Sequence, residues 1–170
     1  MNMQVKEIAT AVQERFQLEL NEFREQYSLI VPAEKIVEVC TALRDEYGFN
    51  MLSDESAVDY GASAEPRFHV IYQLRNLTDL LLIAIRVPLY GNAPRLETLE
   101  KIFPNANWFE RELWDMFGIK FENHSDMRRI LMPYDWEGHP LRKDYPLGYE
   151  EIQFTFNAAE VMLRKPQPKE

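Results

Sequence analysis

The run LLLIAIRV at residues 80–87 is the stretch from which the fold can be read. Apart from Arg86 it is apolar at successive positions, so a strand built from it carries apolar side chains on both faces. Such a strand belongs in the middle of a sheet, and the pattern predicts that it is covered on each side. Moving outward, Phe68, Val70, Tyr72 and Leu74 alternate through a second strand, with residues 75–79 as the link. Gly61 to Pro66 read as a turn. Residues 49–60, NMLSDESAVDY preceded by Phe49, make a weaker strand whose hydrophilic middle suits a sheet edge or a bulge. His69 alternates with Arg67, a spacing that suits a solvated strand face.

Toward the N-terminus, Val5, Ile8, Ala9, Val12 and Phe16 recur at helical spacing and predict an amphipathic helix over about 3–16. Phe23, Tyr27, Leu29 and Val31 fall on alternate positions, giving one half-buried strand over about 23–31. Pro32 suits the first turn of a helix with Ile36, Cys40, Leu43 and Tyr47 as its buried stripe and Gly48 as its end. Beyond the central run, Pro88 to Pro94 form a connection. Leu96, Leu99, Lys101 and Ile102 fit a short helix before Pro104. The order of elements implies an α+β domain, a mixed or antiparallel sheet with helices packed on it.

Residues 107–146 read NWFERELWDMFGIKFENHSDMRRILMPYDWEGHPLRKDYP and hold all three tryptophans. The first part is a short helix that Gly118 terminates. At 100° per residue Arg111, Glu112 and Asp115 share a polar arc, with Arg111 and Asp115 paired at i, i+4. Phe109, Leu113, Trp114, Met116 and Phe117 cover the rest, and Glu110 falls among them. A carboxylate on that face has to be paired or hydrogen-bonded, or else take up a proton. A helix so apolar around its girth is either salt-bridged within its own domain or completed by a partner. The stretch after this helix has little periodicity, but it carries Trp136, Tyr134, Tyr145, Arg128, Arg129, Arg142 and Lys143. Trp, Tyr and Arg are the residues of interface hot spots, so this irregular stretch reads as a docking arm. Arg142 and Lys143 are expected to meet an acidic partner surface.

Composition narrows the function classes. With 170 residues and 46% hydrophobic content, one domain plus a tail is expected. The net charge of −9 is uneven: residues 1–60 hold twelve acids against five bases, 61–120 seven against seven, and 121–170 nine against seven. An acidic N-terminal part disfavours nucleic acid. Cys40 is the single cysteine, so no internal disulfide forms, no iron–sulfur cluster is held by this chain's thiols alone, and a buried apolar role suits it. No apolar run approaches the roughly 18 residues of a membrane span, and no signal peptide is read. A soluble, intracellular chain is expected, with membrane association only through partners. Glycine-rich phosphate motifs are lacking. His124 and His139 have no zinc-like spacing.

Glu110-Arg111-Glu112, Asp115-Met116-Phe117, and then His124, Arg128, Ile130 and Leu131 match without departure the signature of a known family. The chain resembles the 30 kDa subunit of respiratory complex I, the bacterial form of which is the NADH–quinone oxidoreductase. The runs GHPLRKDYP at 138–146 and GYEEIQF at 148–154 are similar to that family's C-terminal tail. The match is strong over about 107–157. It implies a compact domain over 1–121, a docking arm over 122–157 and a frayed tail over 158–170. The interface would use the motif residues together with Arg129, Trp136, His139, Pro140, Leu141, Arg142, Lys143, Asp144 and Tyr145.

The resemblance further implies a non-redox core subunit of a proton-pumping translocase, itself without cofactor or catalytic centre. The FMN and iron–sulfur clusters would lie in partner subunits of the peripheral arm. The chief partner would be the quinone-site subunit related to hydrogenase large subunits. The complex would lie on the cytoplasmic face of the bacterial inner membrane, or on the matrix or stromal side in an organelle. An equivalent subunit of a ferredoxin- or deazaflavin-dependent complex or a membrane-bound hydrogenase is the neighbouring alternative. A stand-alone enzyme using Glu110, Glu112 and Asp115 is the rival from another class, and an autonomous binding module is the third.

Overall fold

The computed structural model describes residues 5–146 together with Ala159, Glu160 and Leu163. The expected tail motif at 148–154, the arm's end at Asn157 and most of 158–170 lie outside the described residues. Helix α1 spans Val5–Phe16 and buries Ile8, Ala9, Val12 and Phe16. Strands β1 (Glu19–Phe23) and β2 (Gln26–Ile30) follow, and a single 3-10 turn leads into α2 (Ile36–Asp45). Three nine-residue strands come next: β3 (Met51–Asp59), β4 (Phe68–Asn76) and β5 (Leu81–Leu89). Short β6 (Arg95–Glu97), α3 (Ala106–Phe117) and short β7 (Lys120–Glu122) complete the fold.

The main sheet runs β1-β2-β5-β4-β3, and β6 pairs with β7 in a separate parallel ribbon. Only β2 and β5 are parallel within the main sheet, which makes it mixed. As the apolar run predicts, β5 is central. Register places Ile83, Ile85, Val87 and Leu89 opposite Leu74, Tyr72, Val70 and Phe68, and all eight are buried on one face. Each such aliphatic side chain contributes about 1.5–3 kcal/mol by leaving water. Helix α1 packs across β1, β2 and β5, α2 against α1, and α3 against β3.

The expectation that β5 is covered on each side is corrected. Leu82, Ala84, Arg86 and Pro88 are only half-buried, as are His69, Ile71 and Gln73 beside them. One sheet face is packed by helices and the other is open. Pro88 lies within β5, opposite His69, past Arg86 where the pairing with β2 ends. With a neighbour on one side only, the strand loses little by the missing amide. The weak strand is the edge strand β3, with a register shift between Leu52 and Asp54.

Two further expectations are corrected. The single strand over 23–31 is a hairpin, with Arg24 and Glu25 at φ 50° and 63° forming a two-residue turn. Phe23, read as inward, is 69% exposed. Turns with two positive φ values favour Asn-Gly, so Arg-Glu carries no sequence signal for one. The helix expected around Leu96–Ile102 is instead strand β6 and a turn. The Leu99 amide and the Thr98 hydroxyl are both drawn to Glu110 on α3, which holds this backbone out of a helix.

Replacing Arg24-Glu25 by Asn-Gly puts residues that tolerate positive φ at both turn positions and should stabilise the chain by about 1–2 kcal/mol. Thermal unfolding of the isolated chain checks this, and an unchanged or lower Tm would contradict the hairpin.

Candidate docking interface

Helix α3 buries Ala106, Glu110, Leu113, Asp115, Met116 and Phe117. It stops at Gly118, whose amide still reaches the Trp114 carbonyl at 2.9 Å and whose φ of 72° turns the chain out of the helix. A helix end leaves its last four carbonyls without intrahelical partners. Here the downstream segment supplies partners to three of them. The Asp115 carbonyl meets His139 Nδ1 at 3.0 Å, the Met116 carbonyl accepts from the Leu141 amide at 2.6 Å, and the Phe117 carbonyl accepts from Arg142 at 3.4 Å. A Cβ on Gly118 would come within 2.6 Å of the His139 ring, so this position requires glycine twice over, for its φ and for its space.

The Asp115 side chain has no solvent exposure. Its Oδ2 accepts the amides of Ile130, Leu131 and Met132 at 2.8–3.0 Å, and its Oδ1 accepts Arg129 Nη1 at 2.5 Å. Burial by itself would raise the Asp115 pKa, but these donors hold it below the ordinary value. The expected Arg111–Asp115 pair therefore does not form. Arg111 donates instead to the carbonyls of Arg128 and Arg129. Arg129 directs its remaining donors to the carbonyls of Trp136 and Gly138 and lies 5.5 Å from the Trp114 ring centroid.

A second clamp holds the other end of the segment. Arg67, expected on a solvated face, is 2% exposed and bonded by two nitrogens to Asp59 at 2.9–3.0 Å. It also meets Asp144 at 3.0 Å, and the Lys143 amide donates to Asp59 at 2.8 Å. The guanidiniums of Arg67 and Arg142 hold the Asp144 carboxyl down to about 2. Arg142, expected to meet a partner, is engaged in its own chain by Asn92, Phe117, Asp144 and the ring of Phe68. The Lys143 side chain is exposed. Neither Asp59 nor Arg67 stood out in the sequence, where opposite charges flanking the turn at 61–66 were the only signal.

Glu110 is fully buried and accepts the Thr98 hydroxyl at 2.5 Å and the Leu99 amide at 2.7 Å. Burial outweighs those two donors and raises its pKa to about 7. The His124 ring lies 3.8 Å away, also buried. His124 Nδ1 accepts the Asp126 amide, which leaves the proton on Nε2 for the Asn107 carbonyl. Glu55 on β3 is 5% exposed, and burial followed by the field of Glu110 pushes its pKa well up. The Tyr72 hydroxyl opposite is near enough to oppose that shift a little but lies outside hydrogen-bonding geometry.

Glu110, Glu112 and Asp115 are thus not brought together: one is buried under β6, one is exposed on α3, and one is enclosed by the arm. The residues the structure gathers outward are Ile130, Leu131, Tyr134 and Leu141, of which Tyr134 is 93% exposed. Beside them runs a groove of about 500 Å³ between α3 and residues 127–134. Trp136, Pro140 and Tyr145 are half-buried against the domain. Among the described residues no group of three or more His, Cys, Asp or Glu is placed to hold a metal ion. Cys40 is buried in the core, and burial pushes its thiol pKa up. No helix among the described residues is long and apolar enough to cross a membrane.

Residues 29–151 match the family described as respiratory-chain NADH dehydrogenase, 30 kDa subunit. The chain belongs to that family. Curated relatives of this chain include an NADH-quinone oxidoreductase subunit of Roseiflexus sp. (strain RS-1), 48% identical over 88% of this chain and 86% of its own length. The like-named subunit of Geobacter sulfurreducens is 41% identical over 76% of this chain and 80% of its own length. The fold is shared with a solved structure described as Nqo5 of the trypsin-resistant fragment (1-134), at TM-score 0.65, 29% identity and coverage of 73% of this chain and 99% of that one. A chain of the membrane-bound sulfane sulfur reductase, an archaeal respiratory membrane complex, superposes at TM-score 0.72 with 27% identity over 82% of this chain and 84% of that one. The 30 kDa family match begins at residue 29, so it takes in the end of β2 and strands β3 to β5 as well as the α3 signature.

Asp115→Ala strands the Arg129 charge and three amides, and should destabilise the chain by about 3–5 kcal/mol. Hydrogen exchange at Ile130–Met132 should rise far more than in β4 and β5, and equal exchange in both would contradict the clamp. For Glu110, the folded chain holds a proton that the unfolded chain has released between pH 4.5 and about 7. This group therefore costs stability as pH rises through that window. Relative to wild type, Glu110→Gln should gain stability from about pH 5 to about pH 8 in denaturant titrations, and a pH-independent difference would contradict the assignment.

Proposed function

We propose that the chain is a non-redox core subunit of a complex I-type, proton-pumping NADH–quinone oxidoreductase. Its work is to dock in the peripheral arm against the quinone-site large subunit and so support electron transfer from NADH to quinone. The observation that carries this reading is the segment 124–146. It is fixed to the domain by Asp115 and Asp59, yet it turns Leu131, Tyr134 and Leu141 outward. A chain that commits two buried carboxylates to positioning an exposed apolar surface is built to present it. The wide separation in role of Glu110, Glu112 and Asp115 weighs against the stand-alone enzyme.

On this reading the FMN and the iron–sulfur clusters belong to partner subunits, and this chain sets where those partners sit. Electron transfer falls steeply with distance, so a subunit without a redox centre still governs turnover. The membrane is reached only through the complex, on the cytoplasmic face in a bacterium. The relative known as a trypsin-resistant fragment of residues 1–134 supports a division between a compact domain and a C-terminal docking segment. The likeness to a chain of the sulfane sulfur reductase supports the second reading, an equivalent subunit in a related complex with another electron donor.

The test is co-purification of the large subunit with the full-length chain and with a chain ending at Asn123, which keeps the β6–β7 ribbon. The expected result is retention by the full-length chain only. Equal retention by both would remove the docking role from the segment.

A further inference from the structure

We propose that the groove between α3 and residues 127–134 receives a carboxylate side chain of the partner subunit, with an apolar residue beside it. The proposal rests on the docking reading above and names the chemistry of the contact. Three guanidiniums line the groove, those of Arg111, Arg128 and Arg129, and none of its lining residues is acidic. The carboxylates that answer them are two. Asp115 holds Arg129, and Asp126 holds Arg128 through both oxygens at 2.6 Å.

Arg111 is left without a carboxylate of its own. Its nitrogens donate to two loop carbonyls, and its nearest acid is Asp126 at 4.0 Å, already taken by Arg128. The Arg111 and Arg129 side chains are only 15% and 13% exposed, so this surplus positive charge is poorly solvated. Guanidiniums in that setting favour a planar, two-oxygen acceptor.

The surplus can also be rearranged. The Arg128 side chain is 78% exposed, and an ion pair at such a site holds weakly. An incoming carboxylate takes Arg128, and Asp126 turns to Arg111, which makes three charges against three. Met127, Met132 and Trp114 form the apolar wall beside this position, and methionine adapts to the shape of what it meets. That wall selects an acidic residue with an apolar neighbour over a freely hydrated anion.

The measurement is retention of the full-length chain in the complex, co-expressed with its partner subunits and captured across a salt series. Arg128→Glu should lower retention by roughly tenfold or more, the scale of a like-charge contact at an interface. Arg128→Gln should lower it less and with a shallower salt dependence. Both isolated variants should keep the wild-type Tm, because Arg128 is exposed, and the pattern in Arg128→Gln guards against a folding defect. Suppressors of Arg128→Glu in the partner should replace an Asp or Glu by Lys or Arg. Leu131→Glu, outside the groove but on the exposed apolar face, tests docking by itself. If Leu131→Glu is lost while Arg128→Glu is retained like wild type, the groove proposal fails and docking stands. Retention of both would remove the docking reading as well. If Arg128→Glu stays in the complex but no longer binds vesicles containing anionic lipid, the groove serves a headgroup and the proposal is overturned.

Discussion

A carboxylate with no access to water must find its compensation inside the protein, and the Asp115 side chain sets the path of everything after α3. Three consecutive amides converge on one of its oxygens, and a guanidinium meets the other. Three amides reach one oxygen only if residues 130–132 curl around it, so the charge dictates a local backbone shape. Arg129 then passes the constraint on by gripping the Trp136 and Gly138 carbonyls. The open end of α3 completes the pattern, because its unpaired carbonyls are met by His139, Leu141 and Arg142. The Arg142 guanidinium among them is a cation at a helix C-terminus, where the helix dipole favours it.

The Asp59–Arg67–Asp144 cluster does the same for the far end, from the end of β3 where the chain turns into β4. A buried ion pair is a weak source of net stability, because desolvation offsets most of its attraction. Its effect here is to exclude other paths. A segment displaced from the domain would leave Asp115 without its four donors and Arg67 short of one acceptor. Helix α3 and the turn between β3 and β4 thus act as two fixed posts, and residues 124–146 are stretched between them.

This arrangement bears on the proposed docking through entropy. An irregular segment that orders only on binding loses part of its contact energy to that ordering. Here the domain has already imposed the order, and the exposed side chains at Leu131, Tyr134 and Leu141 sit on a backbone fixed from behind. The open face of the main sheet is a separate surface. Its half-buried Ile71, Leu82 and Ala84 show that the apolar character of β5 is not all used in the core.

The sequence by itself determined the centre of the main sheet and one edge strand, because the apolar run LLLIAIRV and the hydrophilic middle of residues 51–59 mark them, but it misjudged how many faces of β5 are buried. It also determined α3 and its stop at Gly118, and the family signature lay in a short stretch of chain. The turn at Arg24-Glu25 was illegible because its residues are not those that favour positive φ. The strand β6 was illegible because Glu110, eleven residues beyond Leu99, dictates its backbone. Only the tertiary structure decided which charges pair. Asp115 chose Arg129 over Arg111 on its own helix, and Arg67 turned inward to meet an acid eight residues before it and another far along the chain. Pairing depends on which groups are desolvated together, and desolvation is a property of the packed molecule that no local spacing records.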